Sequence, residues 1–234
     1  MSKREELREK NRKKQAAQRT LLIVLGVAVV LIVTGLLIYP SIQQSMQPIG
    51  DIKTVTPITR ANEKGLVIGP DNAPVKIIEF ADFQCPACKQ YEDQLSSTML
   101  NNYVNKGKVQ LTFVPDSFIG AESEAAAEAA LCANDQGKFW LYHDMLYANQ
   151  GSENSGGFSN RRLAAFAQTI GLDTAKFNSC FNSHKYQAQV AQDVQQATDK
   201  AVDRTPSFNV NGTNVFADTL FKTIDAELAK APTK

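Results

Sequence analysis

Neither histidine nor cysteine occurs here in a spacing that suits a metal. The 234-residue chain has two histidines, His143 and His184, and four cysteines. Cys85 and Cys88 form one close pair, but no second Cys-x-x-Cys or His-x-x-x-His completes a tetrahedral zinc set, and Cys132 and Cys180 have no ligand-type neighbour. The histidines stand singly within helical patterns, which points to surface or packing roles. A dominant charge is missing too: the formal net charge is +1. Outside the first twenty residues there is no basic excess, so no nucleic-acid partner is expected. The glycine-rich residues 151–157 lack the Gly-Lys-Ser/Thr ending of a phosphate cradle and read as a surface loop. No repeat or low-complexity tract breaks the later part of the chain, and no cofactor is expected.

One stretch has no charge at all. Residues 21–39 are uncharged and rich in Leu, Val and Ile, and as a helix at ~1.5 Å per residue they would span roughly 28 Å, the depth of a bilayer core. Residues 1–20 hold eight Lys/Arg against three Glu, and the next charges after the stretch are Asp51 and Lys53. That asymmetry keeps the tail in the cytoplasm and sends the rest outward. A cleaved signal peptide is the competing reading. The stretch exceeds the usual ~7–15-residue apolar region, however, and Leu37-Ile38-Tyr39-Pro40 offers no small-x-small cleavage site. The expectation is a single-pass cell-membrane protein: a basic cytoplasmic tail at 1–20, a transmembrane helix at 21–39, a linker at 40–61 containing Pro40, Pro48 and Pro57, and an extracytoplasmic domain at 62–234.

Within that domain, Val75-Lys76-Ile77-Ile78-Glu79-Phe80 reads as a strand after the turn Gly69-Pro70-Asp71-Asn72. Helical spacing follows from Lys89 to Val104, and residues 108–114 alternate as a second strand. A β–α–β unit of this kind predicts a parallel pair with a right-handed crossover. Residues 120–200 read as almost wholly helical. Two short strands near 207–210 and 214–216, joined at Asn211-Gly212, predict a hairpin, with a last helix from about Thr219.

Cys85-Pro86-Ala87-Cys88 lies where the first strand gives way to a helix. Unpaired N–H groups and the helix dipole favour an anion there, so Cys85 is expected to be partly thiolate, the reactive form. Cys88, one turn on, is placed to resolve a mixed disulfide formed at Cys85. Cys132 and Cys180 stand in separate predicted helices of a segment expected to face an oxidising exterior. Joined, they would close a loop of about 48 residues and stabilise by roughly 4 kcal/mol; unjoined, they would serve as small buried apolar residues. The structural bridge is the expectation.

Glu79 through Cys88, with Thr205-Pro206-Ser207-Phe208 over a hundred residues later, resembles the DsbA-like thioredoxin-fold proteins, particularly membrane-anchored bacterial ones. Phe139-Trp140, His143-Asp144, Asn149-Gln150 and Gly171-Leu172 are similar to the family's helical insert. The resemblance implies an α/β thioredoxin fold with an all-helical domain inserted at about 117–203. It implies a cis peptide before Pro206, with Thr205 and Pro206 beside Cys85 and, like Pro86 and Ala87, in contact with an extended substrate. The bland alternative is a trans proline opening a strand. Glu79 matches a buried family acid that relays protons to Cys88; otherwise it is an exposed edge residue. Two departures stand out: Arg204 where relatives often carry Gly, and Ala87 where some strongly oxidising relatives carry His. With Ala87, the Cys85 pKa is expected to fall, but less far than in those relatives.

The expected function is extracytoplasmic thiol–disulfide exchange, most simply oxidation of reduced or misoxidised polypeptides, with a quinone-linked membrane partner implied by the family for reoxidation. A reductase or isomerase is the alternative within the same chemistry, since reduction potential sets direction. A non-catalytic anchored module with four structural cysteines is the alternative outside it.

Overall fold

The apolar runs of the sequence meet in one five-stranded sheet. In a computed structural model, the described residues are 25–27, 31–36, 38–39 and 49–230. Two compact units divide the chain, Met1–Pro48 and Ile49–Lys234. In the first, residues 25–27, 31–36 and 38–39 are helical, and among the described residues no helix is long and apolar enough to cross a membrane. The expected tail at 1–20, the other residues of the expected transmembrane helix, and residues 40–48 of the expected linker lie outside the described residues.

The second unit holds β1 (Val67–Ile68), β2 (Val75–Ala81), β3 (Val109–Pro115), β4 (Ser207–Val210) and β5 (Thr213–Phe216), in the order β1-β3-β2-β4-β5. β2 and β3 are parallel, with Val75 opposite Val109 and Ala81 opposite Pro115, as the β–α–β pattern predicts. β4 is antiparallel to β2 and pairs Phe208 with Glu79. The β4–β5 turn places Asn211 at φ 47° and Gly212 at φ 95°, the two positive values that a type I′ hairpin requires. Gly69, at φ +89°, lets the chain leave β1 against β3, because a Cβ there would run into the Val109 carbonyl.

Helix α1 (Pro86–Gln94) starts on a proline at its first turn, where the missing N–H costs nothing. The single helix expected over 89–104 is instead broken. α1 ends at Leu95, α2 spans Ser96–Met99, and a π-helical turn covers Leu100–Val104. Ser96 Oγ donates to Glu92 O at 2.7 Å, a back-bond that competes with the backbone ladder where α1 stops.

The all-helical insert is α3 (Ala121–Asn134), α4 (Phe139–Ala148), α5 (Asn160–Thr169), α6 (Thr174–Asn182) and α7 (Gln187–Asp199); α8 (Leu220–Lys230) closes the chain against the sheet. Alanine-rich α3 is buried along most of its length and touches α4, α5, α6 and α7, close approaches that small side chains permit. Cys132 of α3 and Cys180 of α6 are joined in a disulfide, with Cα atoms 5.8 Å apart. Rings fasten α4 to the sheet: Phe113 of β3 lies 5.3 Å from Phe83, 5.7 Å from Phe139 and 5.0 Å from His143. Each fully buried phenylalanine of this kind stabilises by about 1.5–3 kcal/mol over an exposed one. On the other face of β2, Phe80 packs with Val114 and with Ala197 of α7.

Residues 49–61, expected as part of a spacer, lie against this unit. Lys53 N donates to Asn149 Oδ1 and Lys53 O accepts from Asn149 Nδ2, both at 2.8 Å. Ile52 and Val55 pack on the core, and Arg60 reaches Asp144 at 2.6 Å. The packed unit therefore begins about a dozen residues before residue 62, because a pattern without apolar periodicity can still satisfy its backbone against helices already in place.

Candidate active site

The turn from β2 into α1 is held by one buried carboxylate. Asp82 Oδ1 accepts from Gln84 N at 2.8 Å and Ser123 Oγ at 2.6 Å, and Oδ2 accepts from Phe118 N and Ile119 N at 3.1 Å each. Burial still pushes its pKa up against those donors. The insert grips the turn at two further points. Gln150 Nε2 donates to Phe83 O at 2.7 Å and Cys85 O at 3.0 Å, while Gln84 donates to Ser123 Oγ at 2.9 Å and accepts from Asn154 N at 2.6 Å. The position of Cys85 is thus set from outside the thioredoxin core.

Cys85 occupies the residue before α1, in extended conformation at φ −67° and ψ 121°. It is 7% exposed and Cys88 is 1% exposed, so Cys85 is the less deeply buried of the two. The two environments push the thiols apart. Cys85 is lowered from 9.0 to about 6, foremost because the Cys88 thiol donates to it; burial opposes, and the Thr205 hydroxyl and the N–H groups of Cys88 and Ala87 add to the lowering. Cys88 moves up, chiefly through burial, then through its hydrogen bond to and charge repulsion from Cys85. One sulfur is poised as thiolate and the other is held as thiol, the asymmetry that stepwise exchange requires.

The Thr205–Pro206 peptide is cis, and Cys85 Sγ lies 3.5 Å from Thr205 O. Thr205 Oγ1 is buried with no partner in hydrogen-bond geometry among the described residues. Thr205 and Pro206 are buried beside the sulfur, whereas Pro86 and Ala87 are exposed at the tip of α1. Arg204, at the position where relatives often have Gly, stacks its guanidinium 3.6 Å from the Phe216 ring centroid.

Glu79 is 2% exposed on the central strand, not an edge residue. It shares a cavity with Tyr91 and Glu92 of α1, and burial followed by repulsion from Glu92 drives its pKa well above the usual carboxylate range. Tyr147, whose ring lies 5.3 Å from Phe83 and 4.9 Å from His143, is pushed up by burial and then by Cys88. At the end of β3, burial and then Asp82 raise Asp116 to about 6.

The structure therefore brings Cys85, Cys88, Pro86, Ala87, Thr205 and Pro206 together, sets Glu79 beneath the same helix, and keeps the Cys132–Cys180 bridge in the insert. His143 is a packing residue, 1% exposed among aromatic rings, but it also faces Asp144 at 3.1 Å and Glu92 at 3.8 Å. His184 is largely exposed and meets Glu128 at 3.2 Å. Among the described residues, no group of three or more His, Cys, Asp or Glu is close enough to hold a metal. Sequence reasoning missed Asp82, Glu92 and Gln150. A polar residue flanked by Ala81 and Phe83 was a signal for the first, and the position one turn after Cys88 for the second; Gln150 stood out only through the resemblance of Asn149-Gln150 to the family's insert, which gave it no role, since its partners lie over sixty residues away.

A parallel β–α–β core, a cis-proline loop and a Cys-x-x-Cys on a helix N-terminus define a thioredoxin-fold thiol–disulfide oxidoreductase. Comparison with known proteins agrees: a thioredoxin family model matches residues 61–229, and the chain belongs to that family, in its DsbA-like branch. The probable disulfide bond formation protein D of Bacillus anthracis is 35% identical over 169 residues, covering 70% of this chain and 78% of that protein. Disulfide bond formation protein D of Bacillus subtilis is 29% identical over 171 residues, covering 69% and 76%. The crystal structure of oxidised BdbD from Bacillus subtilis superposes with a TM-score of 0.65 at 24% identity, over 76% of this chain and 100% of that one. The chain is a protein thiol–disulfide oxidoreductase.

Proposed function

We propose that this oxidoreductase works outside the cytoplasm, tethered by residues 21–39, and introduces disulfides into secreted or membrane polypeptides through Cys85 and Cys88. The observation that carries the reading is the split between the two thiols, with Cys85 near 6 and Cys88 driven upward. A substrate thiolate attacks Cys85 Sγ of the enzyme disulfide. The sulfur–sulfur bond breaks, its electron pair stays on Cys88, and Cys88 takes a proton that Glu79, uncharged in its buried site, is suited to give. A second substrate thiol then loses its proton and displaces Cys85, leaving substrate oxidised by two electrons and the enzyme as dithiol. Thr205 and Pro206 line the path of the substrate backbone, and the exposed Pro86 and Ala87 meet its flanking residues. A quinone-linked membrane partner accepts the two electrons and restores the disulfide, in keeping with the role implied by the family resemblance.

Refolding of reduced, unfolded ribonuclease tests this reading. The oxidised full chain should restore ribonuclease activity and Cys85→Ala should not; equal recovery by both would point to a binding module. A Cys85–Cys88 potential as low as that of thioredoxin, about −270 mV, would assign the reductase direction instead.

A further inference from the structure

Between α3 and α7 of the insert lies a cavity of about 380 Å³, with acid on one wall and apolar surface on the other. Glu124 and Glu128 line it from α3, Val190, Ala191 and Val194 from α7, and Ser117 from the loop after β3. The two acids are one turn apart, and the three apolar residues are three or four apart, so each set shares one face of its helix. Neither helix contains a Lys or Arg. Glu128 Oε1 meets His184 Nδ1 at 3.2 Å, but Oε2 is buried with no hydrogen-bond partner among the described residues, on a side chain only 7% exposed. A buried carboxylate oxygen without a donor is costly, and these two helices hold no cation to supply one. The volume falls within the ~300–1,000 Å³ of ligand sites and exceeds what a single water or bare ion fills. An acidic end and an aliphatic wall together match a Lys or Arg side chain, which buries its methylene stem while its charged head is paired.

The cavity borders the loop that holds the redox turn. Phe118 N and Ile119 N, next after Ser117, donate to Asp82 Oδ2, and Asp82 O accepts from Cys85 N at 3.0 Å. We infer that this cavity is a subsite for a basic side chain of the polypeptide undergoing exchange: the cationic head pairs with Glu128 and Glu124, and the stem lies along Val190, Ala191 and Val194. The inference rests on the reading of the chain as an oxidase of polypeptides and adds a preference to it, for cysteines with an Arg or Lys a few residues away. Arg fits better than Lys, because its planar head presents several N–H donors to two carboxyl groups. The subsite contributes binding away from the sulfurs, so it lowers KM for basic substrates and leaves kcat as it is.

The test uses the oxidised full chain in detergent, recharged by glutathione disulfide, and dithiol peptides identical but for Arg or uncharged citrulline at one position. That position is moved from about two to about eight residues from the first cysteine, a reach of roughly 7–26 Å at ~3.3 Å per residue. At the best spacing the Arg peptide should have a KM about tenfold lower than the citrulline peptide, with equal kcat. Glu128→Gln combined with Glu124→Gln should bring the ratio of the two kcat/KM values to one, whereas a merely structural defect would slow both peptides alike and leave the ratio standing. Ala191→Arg, at an exposed position, should abolish the ratio by placing the chain's own cation in the cavity. A cysteine-free copy of the Arg peptide should inhibit competitively, and less well in the same variants. Equal KM values at every spacing, or a ratio that survives both sets of variants, overturns the subsite and leaves the oxidase reading intact. Saturable calcium binding that Glu128→Gln removes, without any preference for Arg, makes the cavity a cation site and overturns it as well. Failure to oxidise either peptide overturns the oxidase reading, and the preference with it.

Discussion

Replacing Cys88 with alanine removes the thiol that donates to Cys85, the largest of the effects that bring Cys85 from 9.0 to about 6. A hydrogen bond to a charged group contributes about 1.5–3 kcal/mol, and at about 1.36 kcal/mol per pH unit its loss should raise the half-ionisation pH of Cys85 by one to two units. The N–H groups of Ala87 and residue 88 and the Thr205 hydroxyl remain, so the thiol should stay below its ordinary value. In the native dithiol, a lowered folded-state pKa stabilises the reduced fold fully above pH 9.0 and loses that contribution as pH falls through about 6. At pH 7 the contribution is about 1.4 kcal/mol, equivalent to ~30 mV in the oxidising direction for a two-electron couple. Thiolate absorbance and alkylation rate, each titrated in Cys88→Ala and in the reduced native chain, measure both quantities. A variant that still titrates at the native value would show that the helix terminus alone ionises Cys85. A native thiol near 9 would defeat the electrostatic account altogether.

Other outcomes follow from the same geometry. Burial and Asp82 raise Asp116 to about 6, so its charge destabilises the fold as pH rises through that value. Asp116→Asn should therefore be more stable than the native chain at pH 8, by about 3 kcal/mol at most, with the gain vanishing near pH 4; equal urea midpoints at both pH values would contradict this. Gln150→Leu leaves the Phe83 and Cys85 carbonyls without their side-chain donor and should cost about 1–3 kcal/mol. Slower ribonuclease oxidation should accompany that loss, and an unchanged rate would show that the clamp does not position Cys85. Cys132→Ala with Cys180→Ala should lower stability by about 2–5 kcal/mol in denaturant while leaving the Cys85–Cys88 potential unmoved, a combination that separates the structural bridge from the redox pair.

Much of this site could be read along the chain because its chemistry is local. Cys85 and Cys88 are one helical turn apart, the strand before them and the helix after them follow from apolar spacing, and the Asn211-Gly212 hairpin follows from two positive φ values. The helix predicted as continuous over 89–104 breaks at Leu95, where the Ser96 back-bond competes with the ladder, a contest that periodicity does not register. Residues 49–61 offered no pattern at all, yet Lys53 and Arg60 find their partners, Asn149 and Asp144, 96 and 84 residues away, and Ile52 packs on the core.

By itself, the sequence placed the cysteine pair at a helix N-terminus and set out the β–α–β order, the helical stretch after it and the Asn211-Gly212 hairpin, since each depends on spacing over a few residues; the proline loop beside the cysteines came from the family resemblance. Only the tertiary structure decided how deeply each thiol is buried, that Glu79 is buried beside Glu92, and that Ser123 and Gln150 hold the turn at Asp82 and Cys85 from the insert. Those outcomes depend on desolvation and on hydrogen bonds between residues far apart in the chain, and neither exists until the sheet and the helices have closed around them.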